Sequence, residues 1–495
     1  MAQETYEVIV VGGGVGGCFA AATAASRGAS VVQLERKSPE AGGHIACGDA
    51  MKSPRSDRMY PGPIDMDAIA DDEAALIDGN IDQIEWWDEE VGVRKVLPYE
   101  GNSNVIDRYV FGQHLLEQAD ELGVEQHYNT VVNGVTQNGR VTGVEAIRDG
   151  EPVRYECQVL IDAAGAQSAL QDMVDFEKLD TDGQPSFEKP HYTHFGAAYR
   201  EIIETAEPVE YHNAIVGKPL EEMGYIWYFP RTPTQINVGL GFQMNKDPIP
   251  LNDRLRQDME SRPEYQNATV TEKLGNKDKL GSSIALRRPL DSMVAPGYLA
   301  TGGAAGMTHP ISGKGIRGAA ISGYSAGKTA AMAVEDGDVS EHGLWEHNRY
   351  LFTEHEEGAK LASRDAYNVA ASSIDPNVVR AVAAILPEDE LKTIVGTETD
   401  IESIRGKALV GLGVVTNLVS EYRSDTFETL GVSSSDLFEA ITGVARTRSF
   451  ADDYQKQYEN YPEERDGFDD WLDRRNEMDR EFYDAIDLDP EEHKY

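Results

Sequence analysis

The chain has 495 residues, with 45 lysines and arginines against 86 aspartates and glutamates, a formal net charge of −41, and 40% hydrophobic residues. That length and apolar content support two or three packed domains, and the charge excludes nucleic acid as a partner because phosphate would be repelled. Three cysteines, Cys18, Cys47 and Cys157, cannot form a disulfide framework or supply four thiolates to a zinc or iron–sulfur centre, so no metal site is expected.

No apolar run reaches the roughly 20 residues of a membrane-spanning helix and no signal peptide precedes the first strand, which predicts a cytoplasmic protein. Acidic residues are spread along the whole chain rather than gathered in a tail. So general a bias points to a salt-rich cytoplasm, where charge repulsion is screened and surface charge maintains solubility.

In chain order, Tyr6-Glu7-Val8-Ile9-Val10-Val11 reads as a buried parallel strand, and it runs into Gly12-Gly13-Gly14-Val15-Gly16-Gly17. An Ala-rich helix to Arg27, a stop at Gly28 and a second strand ending at Glu35 complete a βαβ unit. Gly12, Gly14 and Gly17 fit G-x-G-x-x-G: a tight turn, close approach to a pyrophosphate, and helix-on-strand packing. The helix N-terminus offers N–H groups to phosphate, and Glu35, 18 residues after Gly17, can accept from a ribose diol.

Residues 38–60 read as a long loop and residues 65–91 as helical in part. A helix follows Asp107-Arg108, with Phe111, Leu115 and Ala119 on one face. From 124 to 161, valine-rich runs broken by Asn138-Gly139 and Asp149-Gly150 predict an antiparallel meander and a return strand ending at Asp162-Ala163-Ala164-Gly165. Residues 175–285 predict a second, antiparallel domain. In it Tyr225, Trp227 and Phe229 alternate along one strand, so one face carries a row of rings, which by itself reads first as a sheet packed on a core. Tyr298-Leu299-Ala300 reads as a last strand returning to the first sheet, followed by Gly302-Gly303, Gly313-Lys314-Gly315-Ile316 and a long small-residue helix. The expected architecture is α/β. A discontinuous Rossmann-like domain (1–174 and 286–335) carries a sheet domain (175–285), and a helical, acidic region (336–495) follows.

These motifs, in this order, resemble the geranylgeranyl reductase family of flavoproteins, within the p-hydroxybenzoate hydroxylase-like class. The resemblance rests on the Gly12 to Glu35-Arg36 unit and on Cys47-Gly48-Asp49-Ala50. It rests also on Tyr225-x-Trp227-x-Phe229-Pro230-Arg231 with Asn237-Val238-Gly239-x-Gly241, and on Gly302 to Ile316 with Pro310. It covers roughly residues 1–335, and with the charge it implies a haloarchaeal member. It implies FAD, held at the pyrophosphate by Gly16 and its neighbours and at the ribose by Glu35-Arg36. Arg108 would reach the phosphates or the ribityl chain, and Val132 would frame the adenine through its backbone. Gly315 and Ile316 would present N–H groups to the ring, while Cys47, Gly48, Gly165, Gly302 and Gly303 complete the set. Gly303 departs from the family, which carries Asp there on the ribityl chain.

The resemblance also implies hydride transfer to isolated double bonds of an isoprenoid chain, which requires a proton donor in a water-poor, apolar site. Cys47, Tyr225 and Trp227 are the catalytic candidates, with Cys47 more a shaper of the pocket than a donor. Tyr225, Trp227, Phe229 and Pro230 would form the substrate wall, whose negative ring faces suit an alkyl chain and a developing cation. His44 is a weaker proton partner, and His191, His194 and His309 read as ordinary histidines. With one dinucleotide fingerprint only, electrons would come from a ferredoxin or a transient nicotinamide. The partner lipid is an isoprenoid or a quinone, touched through a peripheral membrane contact that residues 408–415 would assist. An electron carrier similar to cluster-free electron-transfer flavoprotein:quinone oxidoreductases, and a monooxygenase or halogenase of the same class, are the alternative readings.

Overall fold

The computed structural model of the protein describes residues 2–52, 59–167, 169–181, 183–187, 195–243, 250–385 and 424–489. After an edge strand β1 (Ala2–Thr5), strand β2 (Val8–Val11) has all four side chains buried, α1 (Val15–Ser26) follows, and β3 (Val31–Leu34) pairs with β2 in parallel. Continuous β-branched runs of this kind suit a strand covered on both faces. A loop then leads to β4 (Ala50–Lys52) and the short helix α2 (Met66–Asp71).

Of residues 65–91, read as helical in part, only six are helical, and those from 76 onward enter a long hairpin of β5 (Leu76–Asp88) and β6 (Val93–Ile106). The cause is tertiary: β5 also pairs in parallel with a strand more than a hundred residues on, and that neighbour overrides weak local propensity.

Helix α3 (Arg108–Glu121) starts at Asp107, whose side chain accepts from the N–H groups of Tyr109 and Val110. Next come β7 (Glu125–His127) and the meander β8 (Thr130–Gln137), β9 (Val141–Arg148) and β10 (Glu151–Glu156), with β1 added at its edge. The return strand β11 (Val159–Asp162) lies parallel to β2.

The second sheet is built from β12 (Phe195–Glu204), β13 (Ala214–Pro219), β14 (Gly224–Pro230) and β15 (Gln235–Gln243), followed by helix α4 (Leu251–Glu260). Its order is β12-β15-β14-β13-β5-β6-β4, so it takes three strands from the amino-terminal segment, and β16 (Lys279–Ala285) pairs with β12. The chain then re-enters the first sheet through β17 (Val294–Ala295) and β18 (Tyr298–Ala300), which completes the order β17-β18-β11-β2-β3-β7, and continues into α5 (Ile316–Asp336). The α/β class and the returning strand agree with the sequence reading.

The carboxy-terminal helices α6 (Glu357–Ser372), α7 (Pro376–Ile385), α8 (Ser434–Glu459) and α9 (Phe468–Ile486) do not stand apart. Tyr454, Tyr458, Phe468, Trp471 and Phe482 belong to the same buried cluster as Val8–Val11. Residues 408–415 lie outside the described residues, as do His191 and His194. Among the described residues no helix is long and apolar enough to cross a membrane.

Candidate active site

The glycine turn after β2 is tight for a steric reason. Gly12 has φ +117°, and a Cβ there would lie 2.3 Å from the Ala163 carbonyl oxygen; one on Gly17 would lie 1.9 Å from the Gly12 oxygen. The α1 N-terminus is therefore pressed between β2 and the end of β11. Gly14 stands open, with only Ile45 near its Cβ position. Gly16 faces Gly302 and Ala319: its Cβ would sit 3.5 Å from Gly302 Cα and 3.4 Å from the Ala319 oxygen. The loops that open α1 and α5 thus meet in one cradle without side chains.

Glu35 closes the cradle from the tip of β3. Its carboxylate accepts from Gly13 N–H at 2.7 Å and from Lys37 N–H at 2.9 Å. Arg36 beside it is exposed. Val132 lies in β8 opposite Ala146, two residues beyond Thr130, whose N–H donates to the Glu35 carbonyl. Gly165 (φ +92°) follows β11 with no atom near its Cβ position. Gly303 is crowded, because a Cβ there would meet the Ala166 nitrogen at 2.9 Å, so the backbone of 165–166 occupies room a side chain would need.

Arg108 opens α3 and is 4% exposed. Its Nη1 has no hydrogen-bond partner among the described residues, and no carboxylate pairs with it. Burial lowers its pKa, opposed in part by the charge of Asp49, with which it forms no ion pair. That unpaired cation, close enough to α1 for its charge to act on Cys18, fits the diphosphate of FAD at a helix N-terminus.

The ring row lies on β14. Ring centroids of Tyr225 and Trp227 are 6.0 Å apart, and those of Trp227 and Phe229 6.2 Å. Each end meets a loop. The Tyr225 hydroxyl donates to the Ser312 carbonyl at 3.3 Å, in the segment that leads to Gly315 and Ile316 at the start of α5. At the other end a Cβ on Gly48 would touch the Phe229 ring at 2.8 Å. Cys47, Gly48, Tyr225, Trp227 and Phe229 therefore come together, and Pro230 ends the strand buried. Trp227 lies flat on β15: Gly239 is directly opposite, and a Cβ there would fall 2.2 Å from Trp227 Cζ2.

A charged network lies under this row. Asp49, fully buried with φ +69°, accepts at Oδ2 from Arg231 Nε at 2.9 Å and Nη2 at 2.5 Å, and from Asn237 Nδ2 at 2.7 Å. Arg231 also reaches Asp107 at 3.4 Å, and Lys273 lies 2.9 Å from the same oxygen. Burial opposes ionisation of Asp107, but Arg231 and Lys273 hold its carboxyl below the ordinary range. Asp278 pairs with Arg200 at 2.5 Å and with His44 at 3.2 Å. Burial works against its charge too, yet the bond from His44 and the Arg200 charge bring it down to about 2. The Cys47 thiol is raised, first by burial and then by the Asp49 carboxylate, and the Tyr225 phenol is pushed up to about 12 by burial. Both keep their protons at neutral pH. His309 accepts from Ser312 N–H and is lowered by burial to about 3, so its imidazole is neutral.

The sequence reading assigned no roles to Arg200, Asp278, Lys273 or the Asp49–Arg231 pair. Asp49, Arg231 and Asn237 lay inside the quoted motifs, and a charged or amide residue within an otherwise apolar strand was the available signal. Arg200 and Asp278 offered none, since their pairing spans 78 residues.

A family model described as FAD dependent oxidoreductase matches residues 7–171, and one described as geranylgeranyl reductase catalytic domain matches residues 195–276. The chain is 26% identical over 376 residues to a digeranylgeranylglycerophospholipid reductase of Sulfolobus acidocaldarius, covering 74% of this chain and 77% of that one. It is 25% identical over 422 residues to the protein of that name from Thermoplasma acidophilum, covering 82% of this chain and 97% of the relative. Among solved structures, a geranylgeranyl bacteriochlorophyll reductase-like protein from Thermoplasma acidophilum superposes with a TM-score of 0.64 at 20% identity, over 92% of this chain and all of that one. A flavin-dependent brominase reaches 0.56 at 16% identity, over 81% and 92% of the two chains. Both structural likenesses speak to the fold.

Proposed function

The chain belongs to the geranylgeranyl reductase family of FAD-dependent oxidoreductases, and on that premise we propose that it saturates isolated double bonds in the geranylgeranyl chains of an archaeal ether phospholipid. The observation that carries this reading is the ring row of β14, held at one end against the Cys47-Gly48 loop and at the other against the segment leading into α5. An isoprenoid needs such a surface. It is long, apolar and without a carbonyl to polarise, so it must be oriented by contact area and ring faces.

FAD, when bound and reduced, supplies the hydride. Gly14, Gly16, Gly165 and Gly302 would leave room for its diphosphate, Gly12, Gly17 and Gly303 would let the backbone around it close up, and Arg108 would offer the positive charge. Glu35 and Arg36 would take the ribose, Val132 would border the adenine, and Gly315 and Ile316 would offer N–H groups to the ring. Tyr225, Trp227, Phe229 and Pro230 exclude water from the alkene and favour positive charge on the carbon that awaits a proton. Tyr225 within the row and Cys47 in the loop against it are the candidate proton holders. With both thiol and phenol raised, each can hold a proton for transfer while remaining uncharged in an apolar site. Electrons reach the flavin from a ferredoxin or a nicotinamide, and the lipid enters by contact of the pocket mouth with the membrane surface.

The test is mass spectrometry of lipid products. Dithionite-reduced holoenzyme given digeranylgeranylglycerophospholipid should yield species heavier by about two mass units per reduced bond. Unchanged lipid, together with fast flavin reoxidation by a quinone analogue, would replace this reading with an electron carrier.

A further inference from the structure

The Cys47 loop and the ring row come from positions about 180 residues apart, and one side chain joins them. Asn237 is completely buried on β15. Its Oδ1 accepts from Trp227 Nε1 at 2.9 Å, and its Nδ2 donates to the Cys47 carbonyl at 2.8 Å and to Asp49 Oδ2 at 2.7 Å. The orientation of the amide is forced: an indole N–H only donates, whereas a carbonyl and a carboxylate only accept. No other side chain of this size offers one acceptor and two donors in that arrangement. Leucine would leave the buried indole N–H and the Cys47 carbonyl unpaired and take one of three donors from Asp49 Oδ2. Aspartate would set a second carboxylate against Asp49.

The neighbours on β15 point the same way. Asn237 stands directly opposite Phe229 and Gly239 directly opposite Trp227, on one face of the pleat. Gly239 lets the indole lie flat while Asn237 fixes its N–H edge, so together they define the plane of the ring. The same amide fixes the height of the Cys47 carbonyl.

Resting on the proposed function for its substrate but not for its geometry, we propose that Asn237 is a positioning residue that registers the Trp227 ring against the Cys47-Gly48-Asp49 loop. It thereby aligns the substrate wall with the loop on the cofactor side.

The experiment uses the full-length holoenzyme with Asn237→Leu, Asn237→Asp and Trp227→Phe. Cys18 and Cys157 are buried and Cys47 is half-buried, so the rate of alkylation by iodoacetamide reports on the Cys47 loop whatever the substrate. Asn237→Leu should speed Cys47 alkylation several-fold and lower kcat about tenfold or more, with bound FAD within about twofold of wild type. Trp227→Phe loses the indole N–H, and adding it to Asn237→Leu should lower kcat by less than the product of the two single effects. Asn237→Asp should be impaired at pH 8 and recover in part toward pH 5, because the new carboxyl and Asp49 then share a proton and one donor returns. Unchanged alkylation and kcat in Asn237→Leu, or fully multiplicative losses in the double variant, would overturn the proposal. If the leucine variant loses FAD and thermal stability together, the pH profile of the aspartate variant decides: no recovery at low pH would also overturn it. Wild-type enzyme inert toward the lipid would sink the substrate reading while leaving the alkylation result intact.

Discussion

At the scale of single residues the site is shaped as much by missing side chains as by those present. Gly239→Ala would place a methyl group within the Trp227 ring, which must then tilt away or push the strand. We expect a loss of about 1–3 kcal/mol in stability, read by chemical denaturation, together with a larger loss of lipid turnover than of bound flavin. Trp227→Ala, which removes the ring but spares the cradle, should likewise reduce turnover more than flavin content. Equal loss of both would make the indole a folding residue only. Gly303 shows the opposite situation, since the backbone of Gly165 and Ala166 fills the place a side chain would take. The sequence did not show this crowding, because the filling atoms come from another strand end.

At the scale of elements, the βαβ unit, the meander and the returning strand were legible because each follows from local chemistry: glycine spacing, β-branched runs and Asn-Gly or Asp-Gly turns. The ring row was legible as a face of a strand from its two-residue period. What was not legible depends on partners far along the chain. The β5–β6 hairpin is stabilised by β13, and the Asp107–Arg231–Asp49 chain of charges joins the N-cap of α3, the end of β14 and the Cys47 loop. This chain links Arg108, the next residue after Asp107, to the strand that carries the ring row. Arg231→Met should leave Asp49 buried without its cation, and Asp107 with Lys273 alone, and lower stability by about 3–5 kcal/mol. In thermal melts followed with and without excess FAD, the variant should also regain less stability from the cofactor than wild type does.

At the scale of the whole molecule, pH acts through buried groups of opposite sign. His347, bonded to Ser325 and to the Ala300 carbonyl, is lowered by burial to about 4, and His309 to about 3. The unfolded chain protonates these imidazoles near pH 6.5 while the folded chain does not. The stability they contribute is therefore full above 6.5 and lost as pH falls toward 4. For His347 this amounts to about 2 kcal/mol between pH 6.5 and pH 5. Asp162 and Asp365, raised by burial to about 6, act the other way and return stability as pH falls through that value. His347→Gln should therefore shrink the drop in melting temperature between pH 7 and pH 5. A drop as steep as that of wild type would mean the imidazole is already charged in the folded protein.

The sharing of one core between the nucleotide sheet and the carboxy-terminal helices has a practical corollary. Phe352 stacks on Tyr461 at 4.6 Å and Trp345 on the same ring at 5.7 Å, so aromatic side chains that follow α5 are roofed by residues from the last sixty or so of the chain. A fragment ending near residue 360 would retain every group assigned to the flavin and still expose Trp345 and Phe352, an oily face inviting clumping instead of catalysis. Anyone trimming this enzyme for crystallisation or display should cut elsewhere.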